Sequence, residues 1–108
     1  MIFAVATNAT ANQYSVYYGH LHNHSNVSDG TGSPSAAYQY ARDVAGLDFF
    51  SLADHAEQIS ASEWTTIMNA ANTYNEDGVF IAFWGFEWSS SSYGHVAVIN
   101  TNDYCSSS

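Results

Sequence analysis

The chain has 108 residues, enough for one small domain and too few for two. Ten acidic residues face a single base, Arg42, for a formal charge of −9, which argues against nucleic-acid binding through a basic patch. The apolar fraction of 46% can build a core; the one cysteine, Cys105, rules out an internal disulfide and a cysteine-based zinc cluster, so any metal site must draw on His, Asp and Glu.

Residues 1–6 are mostly apolar and Ala9-Thr10-Ala11 resembles a small-residue cleavage site, although no positively charged segment precedes it. Residues 1–13 therefore read as an N-terminal extension or the remnant of a signal peptide. That reading and the acidic composition favour a secreted or periplasmic location over a cytoplasmic one. No apolar run is long enough to span a membrane.

Residues 14–24 read as a strand, with Val16, Tyr17 and Tyr18 as β-formers. A polar loop follows over 25–32. Ser33-Pro34 opens a helix as N-cap and first helical residue; Ala37, Tyr40, Ala41 and Val44 give it an apolar face, and Gly46 ends it. Residues 47–53 (LDFFSLA) read as a buried strand with Asp54-His55 at its end. Ser60 and Glu63 form a capping box for a second helix that buries Trp64, Ile67, Met68 and Ala71 and closes at 75–78. Residues 79–84 (VFIAFW) read as a third strand with Glu87 just past it, residues 89–92 as a serine loop, and residues 95–99 (HVAVI) as a fourth strand. The order β-α-β-α-β-β implies a parallel sheet or part of a barrel, with right-handed crossovers. The last strand has no following helix to cover it, so the natural protein is expected to continue beyond residue 108.

All five histidines lie at or beside predicted strand ends. His22 and His24 sit at i and i+2, so on a strand both imidazoles point to one face and can share a cation of the zinc, manganese or iron type. His20 lies one step earlier on the same face. Asp29 follows a turn that can bring a carboxylate back toward the strand end, with Gly30 giving that turn its backbone freedom. His55 is expected to face the site, with Asp54 orienting it or bonding a neighbouring loop. Glu87, flanked by Phe86 and Trp88, is expected to be poorly solvated, so that a metal would hold it ionised.

The run His22 to Gly30 (HNHSNVSDG), then Asp54-His55, then Gly85-Phe86-Glu87 with His95 eight residues later, resembles in order the three motifs of the polymerase and histidinol phosphatase (PHP) family. Within it the chain is most similar to members of CehA/McbA type, and residues 14–108 read as the N-terminal part of a PHP domain. The resemblance implies an α/β fold, a partial distorted (β/α)7 TIM-like barrel comprising the first three to four strands with two helices. It implies a multinuclear site of two or three divalent ions at the C-terminal strand ends. His22, His24 and Glu87 would hold one ion, Glu87 and His95 a second, and Asp29 and His55 a third. Glu87, His55 and Asp29 would then be the catalytic residues. After His95 the chain has no histidine and only Asp103 as an acid, so the family's later His and its Asp-x-His pair are missing and the C-terminal remainder of the barrel would be needed.

The activity expected on this resemblance is metal-assisted hydrolysis of a small phosphorylated substrate. The ions would polarise the phosphoryl oxygens and bring the pKa of water from ~15.7 toward ~7. Arg42 lies in the first helix and reads as structural. A non-catalytic, secreted metal-binding or interaction module on the same fold is the alternative, and a truncated reading frame that does not fold alone is a third.

Overall fold

The structure is a computed structural model and describes residues 13–105. The signal-remnant reading of residues 1–12 and the final three serines lie outside the described residues. Four strands in the order β1-β2-β3-β4 form one curled, half-barrel sheet accompanied by two helices. β1 (Gly19–His20), β2 (Phe49–His55) and β3 (Ile81–Ser90) are parallel, and β4 (Gly94–Ile99) returns antiparallel beside β3. The mixed α/β class matches the alternation in the sequence. The antiparallel return follows from having only a tight turn between β3 and β4, because a parallel partner needs a long crossover.

β1 has two paired residues, not the strand expected over residues 14–24. Val16, Tyr17 and Tyr18 stay mostly exposed, since β-forming side chains count for little where one face finds nothing to pack against. Beyond His20 the ladder gives way to Asn23. Its side-chain amide donates to the Ser51 carbonyl (3.0 Å), and its own carbonyl accepts from the Ala53 amide (2.7 Å). Asn23 thus keeps the His22–His24 segment alongside β2 after regular pairing has stopped.

α1 (Pro34–Gln39) starts as the sequence indicates, with the Ser33 hydroxyl accepting from the Ala36 amide, and runs into one π-helical turn (Tyr40–Val44) ended by Gly46 at φ 63°. Its buried face is Pro34, Tyr38 and Ala41, while Tyr40 and Val44 of the expected face are exposed. Tyr38 takes the core position because its hydroxyl has partners there. It donates to the Phe83 carbonyl (2.6 Å) and accepts from the Leu52 amide (3.3 Å), and burial pushes its pKa up.

β2 lies two residues later than expected, so Asp54 and His55 belong to the strand and pair with Phe86 and Glu87. A short 3-10 turn (Ala56–Gln58) leads to α2 (Ala61–Tyr74), which carries the expected capping box and buries Trp64, Ile67, Ala70 and Ala71, with Met68 partly buried. β3 runs past Trp84 through Ser90. Pairing with β4 extends it, so Glu87 sits inside the strand and Ser89 and Ser90 are strand residues, not loop. The core between sheet and helices centres on Tyr38, Leu52, Ile67 and Phe80, all without exposure. Burying Leu52 and Ile67 is worth about 1.5–3 kcal/mol each. None of the described helices is long and apolar enough to cross a membrane.

Candidate metal centre

Strand alternation separates two faces at the C-terminal ends of β2 and β3. Phe50, Leu52 and Phe86 turn into the helix-covered core; His55 and Glu87, one position on, turn to the other face. His95 pairs with Ser89, two residues beyond Glu87, and so shares that face. The segment after β1 delivers His22 and His24 to the same place.

Glu87 is the centre of the cluster and only 3% exposed. Its Oε1 lies 3.3 Å from His22 Nε2 and 2.9 Å from His95 Nδ1, and its Oε2 lies 3.2 Å from His24 Nε2 and 2.9 Å from His55 Nδ1. The carboxylate is therefore held between two imidazole pairs, His22 with His24 and His55 with His95. Burial pushes the Glu87 carboxyl up, but the hydrogen bond with His95 and the nearby imidazoles outweigh it and hold the group below the usual carboxylate range. Asp29 joins one ring of each pair: it hydrogen-bonds His24 Nδ1 and places its other oxygen 3.4 Å from His55 Nε2. The hydrogen bond with His24 holds the Asp29 carboxyl below its ordinary range.

The turn between His24 and Asp29 is anchored from below. Asp54, fully buried, accepts from the Ser25 amide (2.7 Å), the Ser28 hydroxyl (2.7 Å) and the Ser25 hydroxyl (2.9 Å). Of the two roles the sequence left open for Asp54, this is the bond to a neighbouring loop. Gly30 closes the turn for a reason of space: a Cβ there would stand 2.2 Å from the His24 carbonyl oxygen. Val27 packs onto the core. The hydroxyls of Ser25 and Ser28 are engaged by Asp54 and not by the cluster; neither serine is singled out by the sequence as an anchor, and their place within the HNHSNVSDG run is the available signal. Ser89, read as loop, lies 3.4 Å from His55 Nδ1.

The structure brings together all six residues proposed as metal ligands. Three groups could each hold an ion: His22, His24 and Glu87; His24, Asp29 and His55; and His55, Glu87 and His95. His20 belongs to none of them. Two observations test the fit. Donors bound to one zinc-sized ion at ~2.0–2.1 Å in a tetrahedral array stand about 3.3 Å apart. His22 Nε2 and His24 Nε2 are 3.3 Å apart, and each is 3.2–3.3 Å from a Glu87 oxygen. Glu87 Oε2, moreover, is buried without a hydrogen bond although two ring nitrogens approach it, so those nitrogens are not aimed to donate to it. The donor set of imidazoles and carboxylates suits zinc, manganese or iron. Among the described residues no Lys or Arg side chain reaches the site. Arg42, the single base, pairs with Asp43 (2.7 Å) and lies over the Tyr74 ring.

The fold and this cluster define a small mixed α/β protein with a candidate histidine–carboxylate metal centre at its strand ends. A family model described as "Protein of unknown function (DUF3604)" matches residues 44–103, more than half of the chain, and the chain belongs to that family. The matched stretch contains Asp54, His55, Glu87 and His95, whereas His22, His24 and Asp29 precede it. No curated protein and no solved structure matches the chain.

Proposed function

We propose that this chain is part of a metal-dependent hydrolase of PHP type acting on a small phosphoester. The observation that carries the reading is Glu87: a buried carboxylate held between two imidazole pairs, one oxygen lacking a hydrogen bond. The three parallel strands, with the cluster at their C-terminal ends, support a partial barrel, since barrels place their chemistry there. Divalent ions at this site would supply Lewis-acid polarisation of a phosphoryl oxygen and acidify water. The protein's part is to hold and orient. His22, His24, His55 and His95 present ring nitrogens, Glu87 lies within reach of both pairs, and Asp29 fixes the rings of His24 and His55 from outside. The Ser89 hydroxyl approaches His55 at 3.4 Å but lacks the strand-to-helix elbow of a serine nucleophile. With Arg42 engaged elsewhere, the negative charge of a substrate would be met by the ions.

The test pairs metal analysis of the purified chain with a phosphatase screen in added Mn²⁺, using the wild type, His22→Ala and Glu87→Ala. The reading expects metal uptake by the wild type that both variants lose, and Mn²⁺-dependent turnover that is lost with it. Tight uptake with no turnover would favour the metal-binding module. No uptake would reject the metal centre.

A further inference from the structure

Asp54 is a fully buried carboxylate whose hydrogen-bond partners are all neutral backbone and hydroxyl groups, and the hydrolytic reading gives it no chemical step. Its two oxygens are spent on one turn. Oδ1 accepts from the Ser25 amide and the Ser28 hydroxyl, and Oδ2 accepts from the Ser25 hydroxyl. Within that turn the Ser25 carbonyl in turn accepts from the Ser28 amide (3.2 Å) and the Gly30 amide (2.9 Å), and the Ser25 hydroxyl accepts from the Val27 amide (3.2 Å). The residues on either side of this knot are His24 and Asp29. Asp54 also sits one residue before His55, on the opposite face of β2. Burying a carboxylate is expensive, and a well-packed apolar side chain would stabilise a plain core position at least as well.

We propose that Asp54 is a positioning residue: it fixes the His24–Asp29 turn against β2, and so sets the separation of the His22/His24 pair from the His55/His95 pair across Glu87. It is not itself an ion ligand, because both oxygens are already engaged away from the cluster. This inference rests on the metal-site reading above.

The experiment measures Zn²⁺ affinity by calorimetry for the folded wild type, Asp54→Ala, Asp54→Asn and Ser28→Ala, alongside urea midpoints. In Asp54→Asn the remaining oxygen can still accept from the Ser25 amide and the Ser28 hydroxyl, and the Ser25 hydroxyl can rotate to accept from the new amide. The expected result is a loss of affinity of roughly 10-fold or more in Asp54→Ala, a smaller loss in Ser28→Ala, and rescue to within a few-fold of wild type in Asp54→Asn. Ring ¹⁵N signals of His24 should shift in Asp54→Ala while those of His95 stay in place. Should Asp54→Ala fail to fold, Ser28→Ala decides. A destabilised but folded Asp54→Ala or Ser28→Ala that binds Zn²⁺ as tightly as wild type would overturn the positioning role and leave the metal centre standing. A wild type that binds no ion would remove the metal centre itself.

Discussion

His55, the last residue of β2, stands in register with Glu87 inside the parallel strand β3, with His55 Nδ1 2.9 Å from Glu87 Oε2, yet that oxygen has no hydrogen bond. An ion that binds the folded cluster and not the unfolded chain shifts the folding equilibrium by mass action. Ion binding should therefore stabilise the fold. At a free ion concentration 100 times the Kd the gain is about 2.7 kcal/mol, or roughly 10–20 °C in Tm for a domain near this size. Thermal melts with and without Zn²⁺ or Mn²⁺ measure it. Glu87→Ala should melt at a temperature that no longer responds to the ion; an equal response in that variant would show that the ion binds elsewhere.

His24 and His55 each belong to two of the three possible ion groups. A neutral imidazole has one lone pair to give, because its other nitrogen carries the proton. His24 turns Nε2 toward Glu87 and Nδ1 toward Asp29, and His55 turns Nδ1 toward Glu87 and Nε2 toward Asp29. The three groups cannot all be filled with their full sets of residues at once. We expect no more than two ions to bind tightly to this chain, on the two sides of Glu87. Metal content after gel filtration gives the number directly, and three tightly held ions per chain would contradict it.

His20 separates what spacing suggests from what packing allows. Had the first strand run on through residue 24 as expected, alternation would have put it on the face of His22, but the strand ends at His20, which is exposed and belongs to none of the three groups. His20→Ala should leave ion stoichiometry unchanged and affinity within a few-fold of wild type, whereas His22→Ala should lower affinity by at least tenfold. A large loss in His20→Ala would return that residue to the site.

The alternation of strands and helices and both helix N-caps were legible in the sequence through local rules, such as Ser33-Pro34 and the Ser60–Glu63 box, whereas the six clustered residues were legible as a set through the resemblance of three motifs in order. What was not legible depended on distant partners. β3 extends to Ser90 because β4 pairs with it, although serines alone do not favour a strand. Tyr38, not Tyr40, enters the core because two backbone groups on neighbouring strands bind its hydroxyl. The anchoring of Ser25 and Ser28 needed a carboxylate some 30 residues away in the chain, and no local pattern marks that pairing.

The α2 capping box gives a pH-dependent stability that can be separated from the metal centre. Glu63 accepts from the Ser60 hydroxyl (2.6 Å) and the Ser60 amide (2.8 Å), and these bonds hold its carboxyl below the ordinary range. A carboxyl whose pKa is lower folded than unfolded stabilises fully above the unfolded value and loses that contribution as pH falls through the folded one. Glu63→Gln keeps an acceptor for the Ser60 amide but does not titrate. The variant should be less stable than wild type near pH 6, and the gap should close as the pH is lowered through the carboxylate range toward 3. Urea midpoints at a series of pH values, taken without added metal, measure the gap. A difference that stayed constant with pH would mean that the Glu63 charge does not contribute at the helix N-terminus.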